Sequence, residues 1–177
     1  MRVFRLVCVM MFLAAGAGTA QEYEISRVSH DRINDRSRLQ RESIALNITS
    51  SPIRVEAAEL SIRFRDRRYR YEVSTDIEVG TSVQALEVRH VLYDVFGDHM
   101  SNLSNVEVRG MLPGPHTLDG TWNMLSQNDS NEHLITVTYV ARARLDDGSV
   151  WNADMAAISD VLESLDLDRE IGDEPRN

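Results

Sequence analysis

Between residues 43 and 153 apolar and polar side chains alternate with a period of two almost throughout, the pattern of half-buried strands. Ile44, Leu46 and Ile48 alternate first. Ala58, Leu60, Ile62 and Phe64 then share one face, with Glu59, Ser61, Arg63 and Arg65 on the other. Ile53, Val55 and Ala57 sit in the opposite phase, which predicts a bulge or break near Ala57–Ala58. After a turn at Asp66-Arg67-Arg68, Tyr69, Tyr71, Val73, Thr75, Ile77 and Val79 line one face, completing a long hairpin. Leu86, Val88, His90 and Leu92 continue the alternation up to a Phe96-Gly97-Asp98 turn. Weaker strands are predicted around Val106–Met111 and Leu118–Leu125. The clearest is His133–Leu145, with odd-numbered residues from Ile135 to Leu145 on one face, then a hairpin turn at Asp146-Asp147-Gly148 and a short Ser149–Trp151 segment.

At Asp154 the period changes. Met155, Ile158, Val161 or Leu162, and Leu165 recur at helical spacing, with Asn152 or Asp154 available as N-cap. Seven or eight strands followed by one amphipathic helix fit an all-β antiparallel sandwich. Strands without intervening helices exclude a parallel α/β sheet. The alternative is a sheet packed on the last helix alone.

The flanks differ in composition. Residues 1–20 have Arg2 and Arg5, an apolar run from Leu6 to Ala15 and small residues up to Ala20, the form of a removable signal peptide. Export to a periplasm or the extracellular space is therefore expected. The only cysteine, Cys8, lies in that run, so the mature chain would have no thiol chemistry. Residues 21–42 carry five acidic and five basic groups with few apolar side chains and read as a charged leader or linker, with a weak helix through Ile33 and Leu39. The sandwich with its helix is assigned to 43–166 and an acidic tail, holding Gly172 and Pro175, to 167–177. The formal charge is −9, which disfavours nucleic acid as a partner, and all 19 basic residues are arginine.

One stretch resembles a known family. Val88-Arg89-His90-Val91-Leu92-Tyr93-Asp94, then Gly97, then Leu112-Pro113-Gly114, is similar to the FxLYD-type immunoglobulin-like domains of bacterial envelope and secreted proteins, with His90 where the family has Phe. The resemblance implies an immunoglobulin-like form for the sandwich. The Asp can hold a turn through its own carboxylate while the Gly supplies positive φ.

The most distinctive candidate site is the arginine cluster around the first hairpin turn. Alternation places Arg63, Arg65, Arg68 and Arg70 on one outward face, where four guanidiniums can grip phosphate, sulfate or carboxylate. The plainer reading of the same residues is a solvated face paired with Glu59, Glu72 or Asp76. His90 falls on an apolar face and reads as a neutral core histidine, and Glu87 falls on the opposite face. Neither the histidine spacing nor the aspartate turns match a zinc or calcium motif. Three Asn-x-Ser/Thr triplets begin at Asn47, Asn102 and Asn128 and read as chance. Without lysine the Lys-based mechanisms and the phosphate loop are excluded, no G-x-S-x-G occurs, and no cofactor motif is found. Trp122 and Trp151 read as core anchors. These features point to a non-enzymatic exported module that binds another envelope component, with a protein as the expected partner. The second expectation is a small-molecule or glycan binder with a pocket between sandwich and helix.

Overall fold

In the computed structural model, which describes residues 23–169, nine strands and two helices build two facing sheets with a helix on the outer side of the larger. β1 (Tyr23–Arg32) pairs with β2 (Gln40–Ile48), β2 with β8 (His133–Leu145), β8 with β5 (Val83–Asp94), and β5 with β6 (His99–Glu107). β9 (Val150–Asn152) pairs β8 beyond the point where β2 leaves it. The smaller sheet orders β3 (Ile53–Arg65), β4 (Arg68–Val79) and β7 (Gly114–Leu125). The all-β sandwich with a C-terminal helix is therefore the fold.

The three interior strands of the larger sheet, β2, β8 and β5, are covered on two faces. On one side Ile44, Leu46, Val91, Val137 and Tyr139 pack under α2 (Met155–Ser164), which contributes Ile158, Val161 and Leu162. On the other, Ala45, Leu86, Val88 and Val140 meet Ile53, Val55, Ile77 and Val79 of the smaller sheet. Asp154 caps α2 by accepting from the Ala156 and Ala157 amides at 3.0 and 3.3 Å. Burying the three aliphatic side chains of α2 stabilises by about 1.5–3 kcal/mol each.

The β3 bulge falls between Val55 and Ala57, slightly before the predicted position, and switches the buried set from Ile53 and Val55 to Ala58 and Leu60 within one strand. Asn47 secures it from the other sheet: its side chain donates to the Val55 carbonyl at 2.9 Å and accepts from the Val55 amide at 2.7 Å. This buried amide is thereby committed to the fold, which removes the triplet at Asn47 as a surface acceptor.

Several expectations are corrected. Residues 23–32, read as part of a linker, form edge strand β1; Tyr23 and Ile25 pack on the helix-side core, and an edge strand needs little more apolar surface than that. The weak helix through Ile33 and Leu39 is a turn in which Asn34 Oδ1 accepts from the Arg36 and Ser37 amides, and Leu39 is exposed. The fold thus begins by Tyr23, well before residue 43. One pair, β2 with β8, is parallel. β6 lies earlier than the strand expected at Val106–Met111. A short α1 (Gln127–Glu132) was not foreseen; a capping box between Ser126 and Asp129 starts it.

The boundary at 166 is also too early. Leu167 is buried, the Asp168 amide donates to the Gly97 carbonyl at 2.9 Å, and Tyr93 Oη donates to the Asp168 carbonyl at 3.2 Å. The signal-peptide reading of residues 1–20, Cys8 within it, and the tail with Gly172 and Pro175 lie outside the described residues.

Candidate functional site

The two long strands β3 and β4 run past the body of the sandwich in exposure: every residue from Arg63 to Arg68 is exposed, whereas Leu60, Tyr71 and Val73 are buried. Register places Arg63 opposite Arg70 and Arg65 opposite Arg68 on one face, with Phe64 opposite Tyr69 on the other. The structure therefore brings together the four arginines singled out from the sequence. Asp66 and Arg67 make a two-residue turn, with φ of 52° and 62°. Such a turn favours Asn-Gly or Asp-Gly, so Asp66 suits its position, whereas Arg67 in the left-handed region costs about 1–2 kcal/mol.

Charge adds to that cost. Like charges directly opposite across a strand pair destabilise it by roughly 0.2–1 kcal/mol. Two arginines find carboxylates: Arg70 Nη2 lies 2.6 Å from Asp66, and Arg63 Nε lies 3.3 Å from Glu72. Arg65, Arg67 and Arg68 have no ion pair among the described residues. Asp76, a partner considered for this face, instead accepts from the Thr117 hydroxyl at 2.8 Å. On the reverse face Phe64 is 61% exposed and packs on Tyr69 with ring centroids 4.9 Å apart. The tip thus presents a guanidinium face, an aromatic face and an Asp66–Arg67 apex with both residues at positive φ.

Beneath the tip the two sheets meet along a polar seam. Thr136 Oγ1 hydrogen-bonds both the Tyr71 hydroxyl and His133 Nε2, the latter at 2.9 Å. His90 Nδ1 meets Thr138 Oγ1 at 2.9 Å, and His30 Nε2 meets Ser43 Oγ at 2.7 Å. Arg41 donates to the Ser130 carbonyl at 2.6 Å. Burial pushes His90 down to about 4, and burial, with Arg41 beside it, pushes His133 down to about 3. His133 Nδ1 lacks a well-aligned partner, with only the Ile135 backbone to compensate. Trp122 packs edge-on to His90 at 5.5 Å and lies across Gly120, where a Cβ would collide with its ring. His90 is the core histidine expected, and Glu87, on the other face, is held by Arg89 at 2.9 Å and Arg142 at 2.6 Å. The rest of the seam was missed, although Thr136 and Thr138 mark it by alternating with Val137 and Tyr139.

At the end of the seam a cleft of about 390 Å³ opens between β4, β5, β6 and α1, with Tyr71, Leu92 and Leu103 in its lining beside Asp94, Asp129 and Glu132. Two of these carboxylates have local duties. Asp94 Oδ1 accepts from the Phe96 and Asp98 amides at 2.8 and 3.0 Å, holding the turn with Gly97 at φ 86°, and Asp129 accepts from the Ser126 amide. Between sheet and α2, where a ligand pocket was the second expectation, the space lined by Leu46, Ile48, Ile158 and Val161 holds about 10 Å³. That is close to one water.

No protein-family model matches the chain, and no curated protein matches it. Among solved structures the fold is similar to a hypothetical protein from Peptoclostridium difficile 630, at 10% identity and a TM-score of 0.46, covering 65% of this chain and 92% of that one.

Proposed function

We propose that the chain is a non-enzymatic, exported β-sandwich module that binds an acidic component of the cell envelope through the tip of the β3–β4 hairpin. The observation that carries this reading is the register pairing of Arg63 with Arg70 and Arg65 with Arg68 on an exposed tip. Facing cations destabilise a strand pair, and of the four only Arg63 and Arg70 find a carboxylate that offsets this. An anion placed on that face relieves the repulsion and gains charge-assisted hydrogen bonds. The exposed Phe64 adds the kind of aromatic anchor that binding surfaces use. The signal-like N-terminus supplies the compartment.

The test is capture from a native envelope extract by the immobilised chain from Gln21 onward, which holds every described strand and helix. The wild type should retain a component that the Arg63/Arg65/Arg68/Arg70→Ala variant loses and an Arg109→Ala control keeps. Equal retention by all three would overturn the reading.

A second reading, small-ligand binding, gains support from the cleft between β4, β5, β6 and α1, whose volume falls within the usual range of ligand sites. Leu103→Trp would fill that cleft, and loss of a ligand identified by thermal-shift screening would place the site there. Unchanged ligand binding in that variant would remove this reading.

A further inference from the structure

The tip has chemistry on both faces at once. Guanidiniums cover one side of the two-stranded ribbon and the Phe64–Tyr69 pair covers the other, joined by a turn with Arg67 at its apex. A flat protein partner meets one face of such a ribbon and leaves the other in water. A medium that surrounds the tip serves both. A bilayer headgroup layer is such a medium, offering phosphates to cations and an acyl boundary to aromatic rings. The dimensions agree: the three rungs from Arg63 to Arg65 span roughly 10 Å with the turn, about the depth to which interfacial segments seat.

Charge supports the same partner. Residues 63–70 hold five arginines and one aspartate, whereas the whole chain carries −9. An anionic surface therefore repels the molecule as a whole and attracts this segment, which selects a tip-first approach. No helix among the described residues is long and apolar enough to cross a membrane, so this contact would be peripheral.

We propose that the β3–β4 tip is a membrane-docking hairpin that seats in the headgroup layer of an anionic phospholipid bilayer, with Arg63, Arg65, Arg68 and Arg70 on the phosphates and Phe64 toward the acyl boundary. This rests on the reading of the tip as the binding surface and names its partner.

The experiment is flotation of the chain from Gln21 with vesicles of phosphatidylcholine alone or mixed with phosphatidylglycerol. Wild type floats with the anionic vesicles at low salt and is released by high salt. Arg63/Arg65/Arg68/Arg70→Gln weakens binding at least about 100-fold, since each cation near such a surface contributes about 1 kcal/mol. Phe64→Ser weakens it about tenfold, and a Phe64→Trp reporter shifts its emission to the blue on anionic vesicles. Should the fourfold variant fail to fold, Arg65/Arg68→Gln serves, because neither residue is in an ion pair among the described residues. Equal binding to neutral vesicles, or no loss in either arginine variant, overturns the proposal. If wild type ignores both vesicles yet retains a soluble acidic envelope protein through the arginines, membrane docking fails and the binding-surface reading stands. If it retains neither, both fall.

Discussion

The base and the tip of the β3–β4 hairpin are one continuous ribbon built to opposite rules. At the base, Val55 opposes Ile77 and Leu60 opposes Val73, all buried, and the other sheet stitches the bulge through Asn47. At the tip, cation faces cation, an aromatic side chain meets water, and the turn holds Arg67 at a φ that long side chains rarely adopt. The base is what a folding chain selects for its own sake. The tip lowers stability locally, a cost that the proposed binding role would offset.

Perturbing the base should be costly. Ile77→Ala deletes a fully buried side chain between the sheets and is expected to destabilise by about 2–5 kcal/mol in urea unfolding. A loss below about 1 kcal/mol would mean the base is less tightly packed than the structure indicates.

Acid should act on the same interface through the seam. In the unfolded chain both histidines titrate near 6.5, whereas folded His90 and His133 stay neutral down to about 4 and about 3. Above pH 6.5 neither state holds these protons and stability is unaffected. As pH falls below 6.5 the unfolded state binds them first, so stability drops by up to about 1.4 kcal/mol per pH unit per histidine. The His90 contribution levels off near pH 4 and that of His133 near pH 3. Unfolding midpoints between pH 7.5 and 4.5 should show this decline, to which His30, also held down by burial, adds, and His90→Leu should flatten it in part. An unchanged slope in that variant would mean that His90 is protonated in the folded state.

Where base gives way to tip, Tyr71→Phe removes the hydroxyl that meets Thr136 and leaves the seam one bond short. It should cost about 1–3 kcal/mol, read from urea midpoints. At the tip the sign reverses. Arg65→Glu turns the pair with Arg68 from repulsive to attractive and should raise stability by a few tenths of a kcal/mol while weakening anion binding. Stability lost together with binding would show the arginines to be part of the scaffold.

The strand pattern was legible because alternation survives wherever one face is buried against something apolar. Even the phase switch in β3 could be read from Val55 and Ala58. The four tip arginines were legible for the same reason, since register at a hairpin follows from the turn. Three things were not. Thr136 and Thr138 look like solvent-facing alternants, and only a second sheet turns them inward. An edge strand such as β1 needs too few apolar residues to stand out. The parallel pairing of β2 with β8 joins segments about ninety residues apart, which no local pattern encodes.

The chain beyond α2 has a temporal consequence. Leu167 and the Asp168 backbone close the Tyr93–Gly97 turn, and β8 supplies the second partner of β2, which until then pairs only with β1. A polypeptide emerging N-terminus first can form its β3–β4 hairpin early, from neighbours in sequence. It completes the large sheet only after His133–Leu145 emerges, and locks the turn only after Asp168 does. Closure of this turn therefore waits on residues 167 and 168, which follow every described strand and helix in sequence.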